Sequence, residues 1–140
     1  MAFMGVDPVL RFPNGVHDRT LGALVAGDLN YKANYEGAVF AFASETTLAM
    51  FEKNPAHYIP EVGGYCLGAM SQRRITPGDP RNFFFVPEED GGGMWAVFGS
   101  PNGPATWSAM TTQERKERLA EAHAYYNARI GIVPIKPDGS

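Results

Sequence analysis

The chain has little of three things that would narrow its function: cysteine, clustered positive charge and long apolar runs. Cys66 is its only cysteine, so an intramolecular disulfide and a zinc site built from several cysteines are both excluded. Lys and Arg number 12 against 15 Asp and Glu, and the basic pair Arg73-Arg74 stands alone, which argues against a nucleic-acid-binding surface. No apolar run approaches the roughly 18 residues of a membrane span, and residues 1–13 lack the pattern of a secretory signal. We therefore expect a soluble cytoplasmic protein without nucleic-acid or membrane partners.

The composition that is present indicates a folded, loop-rich single domain. Hydrophobic residues make up 44% of the 140 and charged residues 19%, a balance that disordered chains do not have. Sixteen glycines and eleven prolines indicate short elements joined by many turns. We divide the chain into a domain over 1–110, a C-terminal helix over 111–131 packed on that domain, and a tail over 132–140.

Local signals predict the individual elements. Alternation and the turn pair Glu36-Gly37 indicate a hairpin over 28–43, and two further strands are predicted over 83–86 and 94–98. Ser44 is a candidate N-cap for a helix over 45–53, and a short helix is predicted over 65–72. The capping-box pattern from Thr111 to Glu114 begins the clearest helix. The fold class predicted is α+β, a small mainly antiparallel sheet with short packed helices and a longer C-terminal helix.

The order of several short blocks is similar to that of a known family. The opening run is Gly5-Val6-Asp7-Pro8-Val9, and a strand ending in Phe42-Ala43-Ser44 precedes a capped helix that holds Phe51. These blocks are followed by Asn54-Pro55, Tyr58, Gly63-Gly64-Tyr65-Cys66 and Gly78-Asp79-Pro80. Together they resemble the YHS-domain family, in its cysteine-poor, stand-alone bacterial type, over about residues 5–100.

The resemblance implies a fold and a binding role, with one departure. In the metal-handling version of the family, three cysteines bind the metal. The matching positions here are Leu10, Ala43 and Thr47, and none of them supplies a thiolate. The resemblance therefore implies a small binding protein without the cysteine-cluster metal site.

Cys66 is the residue on which a candidate site depends. It follows a Gly-Gly pair near a predicted helix N-terminus, where the helix dipole favours a thiolate. Met70 lies four residues on, and a thiolate with a thioether suits copper(I). His57 or His17 would supply a third ligand, which gives a predicted site for copper or zinc, or for a small ligand beside the thiol. The structural alternative is a buried Cys66, a core Met70 and a surface His57 with Tyr58 packed beneath it.

Two other functions stay open at this point. Cys66 with His57 as its base is the arrangement of a thiol-dependent enzyme or enzyme partner. The aromatic residues of the second half predict either a sheet covered on both faces or a face for homo-oligomer formation; they are Phe83, Phe84, Phe85, Trp95, Phe98 and Trp107. The sequence leaves open whether the chain is an enzyme.

Overall fold

The computed structural model describes residues 2–87 and 93–131. In this part of the chain lie five α-helices and two antiparallel sheets of two strands each. The elements in chain order are α1 (Pro8–Arg11), β1 (Asp28–Tyr35), β2 (Ala38–Phe42), α2 (Glu45–Lys53), α3 (Leu67–Ser71), β3 (Asp79–Pro87), β4 (Gly93–Phe98), α4 (Asn102–Ser108) and α5 (Thr112–Tyr126). Short 3-10 turns cover Ala2–Gly5, Pro55–Tyr58 and Glu61–Gly64, and a π-helical turn covers Asn127–Gly131. The predicted α+β class is confirmed.

The first half is a hairpin with a helix packed on it. β1 pairs with β2 through the predicted turn at Glu36-Gly37, and α2 spans the predicted residues. Ser44 caps α2 in a reciprocal capping box with Thr47, which satisfies two backbone N–H groups at the start of the helix. These local signals explain why hairpin and helix form where the sequence indicates.

The β3–β4 hairpin separates two hydrophobic cores. Phe85 lies opposite Trp95 in the register, and the two rings meet edge to face with centroids 5.0 Å apart. Phe83 and Trp95 pack against one core, whereas Phe84 and Val86 belong to the other. The chain itself therefore covers both faces of this hairpin, which is the first of the two arrangements predicted for its aromatic residues. Instead of one sheet, the described strands form two separate hairpins.

We call the two clusters the first and the second core. The first core joins the N-terminal segment, β2 and α2: Phe3, Val9, Phe12, Val16, Ala38, Phe40, Phe42, Phe51, Tyr58, Ile59 and Val97. The second core joins α3, α4, α5 and the hairpin: Val62, Leu67, Met70, Val86, Ala96, Phe98, Trp107, Ala122 and Tyr126. Helices α1 and α2 contribute to the first core, and helices α3, α4 and α5 contribute to the second core.

Helices α4 and α5 complete the second core. α5 begins at the predicted capping box, in which Glu114 N–H donates to Thr111 Oγ1 at 3.1 Å, and it packs against α3. α4 replaces a predicted loop, because Trp107, 2% exposed, anchors this short helix in the core. The predicted tail over 132–140 lies outside the described residues. Within the described ranges, no helix combines the length and apolar content needed to cross a bilayer.

Candidate functional site

Cys66 stands at the meeting point of α3, β4 and the segment after α3. It is the N-cap residue of α3, and its sulfur accepts a hydrogen bond from Ala69 N–H at 3.5 Å. Its own backbone N–H donates to the carbonyl of Thr76 at 3.0 Å, and it forms an isolated parallel bridge with Val97. The residue is half-buried. The backbone contacts therefore fix the thiol at the edge of the second core without sealing it inside.

A cleft of about 480 Å³ opens beside this thiol, and we call it the cysteine cleft. Its volume falls in the range of about 300–1,000 Å³ that is typical of small-ligand pockets. The lining residues come from α3, from the end of β4, from α4 and from α5: Cys66, Gly68, Ala69, Ser71, Gln72, Arg74, Thr76, Phe98, Gly99, Ser100, Asn102, Gly103, Thr106, Trp107, Met110 and Arg118. Apolar and polar groups thus both line it, as ligand pockets require.

Two buried rings form the apolar back of the cleft. The Phe98 and Trp107 centroids lie 5.9 Å apart with the ring planes tilted by 57°. Gly103 lies against the Phe98 ring so closely that a side chain there would overlap it. Arg115 Nη1 donates to the carbonyl of Trp107 at 3.2 Å and to that of Met110 at 2.6 Å, which ties the end of α4 to α5. Arg115 is therefore a positioning residue for this wall.

The structure does not gather the other predicted ligands around Cys66. Met70 is fully buried in the second core and does not line the cysteine cleft. His57 lies beside the first core, where its ring packs edge-on against Tyr58 at 4.8 Å and fits against Gly15. His17 is exposed, and its Nδ1 lies 2.9 Å from the carbonyl oxygen of Gly93. The thiol–imidazole pair required by the enzyme hypothesis is likewise not formed with His57, which lies outside the cysteine cleft.

Over residues 2–87 and 93–131, no three His, Cys, Asp or Glu side chains come together as a group able to hold a metal ion. The polar side chains that line the cleft beside the thiol carry hydroxyl, amide and guanidinium groups. Searches of protein-family models, of curated proteins and of solved structures found no match to the chain.

The three positions that the YHS resemblance equates with metal-binding cysteines meet at one buried carboxylate. Asp7 is fully buried and caps α1, its Oδ1 accepting from Val9 N–H at 2.8 Å and from Leu10 N–H at 3.2 Å. Its Oδ2 accepts from Ala43 N–H and from the Thr47 hydroxyl, both at 2.7 Å. Four donors therefore surround this carboxylate, and it acts as a structural joint between the N-terminal segment and the β2–α2 connection.

A second cavity shares Thr76 with the cysteine cleft. It has a volume of about 360 Å³, and turns and strand ends line it: Ala2, Phe3, Met4, Gly37, Ala38, Val39, Gly63, Gly64, Tyr65, Ile75, Thr76, Pro77 and Gly78. None of these lining residues carries a charge or a thiol. Of these two cavities, the cysteine cleft holds the thiol and the charged groups that would select a ligand, and we place the candidate site there.

Sequence reasoning misses the charged residues of the cleft. In the sequence, Arg74 stands out only with Arg73, as a basic pair too isolated to bind nucleic acid, and Arg118 only as the i,i+4 partner of Glu114. The fold brings Arg74, just after α3, and Arg118, in α5, to the same cleft. The packing of α5 on α3 brings the two arginines together, and no local pattern in the sequence predicts that they are neighbours.

Proposed function

We propose that the protein binds a small organic ligand in the cysteine cleft. The observation that carries the proposal is the cleft itself, of about 480 Å³, with the half-buried Cys66 thiol at its edge and two packed rings behind it. A pocket that joins an apolar wall to a few polar groups is the usual form of a small-molecule site. This is the small-ligand form of the binding role expected from the sequence.

The contents of the cleft favour a small organic molecule over a metal ion as its occupant. Met70, which would supply the thioether for copper(I), is turned into the second core, and the two predicted histidine ligands, His17 and His57, lie elsewhere. A lone thiolate with hydroxyl and amide neighbours lacks the set of soft or imidazole donors that copper and zinc prefer. The same groups suit hydrogen bonding to an organic ligand.

A fragment screen on the ¹⁵N-labelled full chain tests the proposal. We expect some fragments to shift the amide signals of Gly68 and Gly99 and the indole signal of Trp107. The same fragments should slow alkylation of Cys66 by iodoacetamide, since this sole cysteine lines the cleft. A screen with no hits there, or hits that move only residues around the second cavity, would overturn the proposal.

A matched pair of variants shows whether binding occurs inside the cleft. Thr106 and Ala105 are both exposed neighbours in α4, but only Thr106 lines the cleft. Thr106→Trp should fill the space and abolish binding, whereas Ala105→Trp should leave it unchanged. Titration with copper(I) or zinc supplies a separate arm. Binding tighter than about micromolar that is lost in Cys66→Ser would identify a metal as the ligand instead.

A further inference from the structure

The charged groups that line the cysteine cleft all have the same sign. They are Arg74 and Arg118, and neither Asp nor Glu occurs among the described residues that line it. The chain as a whole is acidic, with a net charge of −3. A cleft with two guanidinium groups in an acidic protein therefore differs in sign from the average surface, and it attracts anions.

The two guanidinium groups of the cleft have different neighbours. Arg74 Nη2 donates to Gln72 Oε1 at 2.8 Å, and this amide orients the group without neutralising it. Hydrogen bonds with Thr111 lower the pKa of Glu114, and the positive charge of Arg118 lowers it as well. The carboxylate of Glu114 is committed to Thr111 N–H, which lies 2.8 Å away in the capping box.

The other arginines of the chain are engaged differently. Four of them lie over aromatic rings and two pair with carboxylates: Arg11, Arg19, Arg115 and Arg129 over rings, and Arg73 and Arg81 with Glu121 and Asp79. Among the described residues, neither Arg74 nor Arg118 lies over a ring or forms a close ion pair: Arg74 donates to a neutral amide, and Arg118 acts on the Glu114 carboxylate only through its charge. The segment after α3 carries Arg74 and helix α5 carries Arg118, so two parts of the chain that are distant in sequence each place an arginine at the cysteine cleft.

We propose that the ligand of the cysteine cleft is a small organic oxyanion, a carboxylate or a phosphate ester, with an apolar part. This inference rests on the proposed function and adds the chemical class of the ligand. A guanidinium group presents parallel N–H donors that match the paired oxygens of carboxylates and phosphates. Arg74 and Arg118 would bind the oxyanion at the rim, while the apolar part lies toward Met110 and the Phe98–Trp107 wall.

Three probes of similar shape test the charge requirement on the full chain: phenylacetate, phenyl phosphate and the neutral phenylacetamide. We expect both anions to shift the cleft signals of Gly68, Gly99 and Trp107 at concentrations where the amide does not. Each of Arg74→Gln and Arg118→Gln should weaken anion binding by about two- to fivefold, the range of solvent-exposed ion pairs. Added salt should weaken it too. The tighter of the two anions identifies the oxyanion class.

Arg73→Gln is the matched control. Arg73 is adjacent to Arg74 in sequence and equally charged, but it lies 4.0 Å from Glu121 and outside the cleft lining. It should leave the affinity for both anions unchanged. If Arg73→Gln weakens binding as much as Arg74→Gln, the effect is one of net charge, and the inference is wrong.

The outcomes separate this inference from the proposed function. If phenylacetamide shifts the cleft signals as strongly as phenylacetate, and neither cleft-arginine variant weakens binding, a small-molecule site exists but has no preference for anions. If neither anion binds while uncharged fragments of the wider screen do, the inference again fails and the proposed function stands. If no probe and no fragment reaches the cleft, both fail together.

Discussion

Replacement of Asp7 by asparagine should destabilise the fold by about 1–3 kcal/mol, because it removes one of two oxygens that each accept two hydrogen bonds. In the native protein, Oδ1 serves the N–H groups of Val9 and Leu10, and Oδ2 serves Ala43 N–H and the Thr47 hydroxyl. An asparagine side chain keeps one acceptor oxygen and presents an NH₂ group in place of the other. Whichever way it is turned, donors then face donors inside a fully buried site.

The magnitude depends on which pair of donors loses its acceptor. If the new amide keeps the α1 cap, Ala43 N–H is left without its partner, at a cost of about 1–3 kcal/mol, while the Thr47 hydroxyl rotates and accepts instead. If the amide keeps the Ala43 contact, two N–H groups of α1 are orphaned, as in the loss of an N-cap, which costs about 0.5–2 kcal/mol. Loss of the charge weakens the bond that is kept as well. The sum stays below the typical total stability of about 5–15 kcal/mol, so the variant should still fold.

Urea unfolding monitored by tryptophan fluorescence measures this effect as a lower midpoint at an unchanged slope. Asp28→Asn is the control, because the Asp28 side chain is exposed and accepts a single hydrogen bond, from Asn30 N–H at 2.8 Å. Asparagine can form the same turn there, so the change should stay within about 0.5 kcal/mol. Equal midpoints for the two variants would show that the Asp7 carboxylate does not join the N-terminal segment to the rest of the fold.

Two further predictions concern the second core and its surroundings. Gly103→Ala should destabilise by about 1–3 kcal/mol, because the new methyl group overlaps the Phe98 ring, whereas Gly68→Ala, whose methyl lies an ordinary 3.6 Å from the same ring, should be neutral or stabilise by up to about 1 kcal/mol in urea titrations. Similar effects of the two substitutions would contradict the packing argument. Burial and the nearby Glu36 carboxylate raise the pKa of the Tyr126 hydroxyl, which donates to Glu36 at 3.4 Å. The folded state therefore holds this proton more tightly than the unfolded chain, so its contribution is complete below about pH 10 and is lost as the pH rises through the folded pKa. Tyr126→Phe should lose less stability than the native protein between about pH 9 and about pH 11, and an identical alkaline decline in both would refute this assignment.

The elements that sequence reasoning predicts well are those with local signals. The Ser44 capping box begins a helix with the predicted bounds, and the Thr111 capping box begins α5. In both, the side chain at the cap satisfies backbone groups within three residues, so the evidence is contained in the segment itself. The turn at Glu36-Gly37 is equally local.

The elements that it misses are made by distant contacts. α4 carries Gly103 near its start, which lowers its intrinsic helix propensity, and it forms because Trp107 is buried in the second core. α1 is four residues long and owes its first turn to the Asp7 cap. The division of the strands into two hairpins depends on which strand ends meet in space, and periodicity along one strand carries no information on that.

The residues of the candidate site, like the elements of the fold, could be predicted from the sequence only where the signal is local. The prediction that Cys66 lies near a helix N-terminus agrees with its position as the N-cap of α3, but the expectation that Met70 shares its face depends on both residues being helical. Cys66 has an extended backbone, with φ −63° and ψ 115°, so the spacing of four residues does not place the two side chains together. Its sulfur turns back to Ala69 N–H, while Met70 turns into the core. The groups that do share the cleft with the thiol come from β4, α4 and α5, and only the packing of these elements on α3 brings them there.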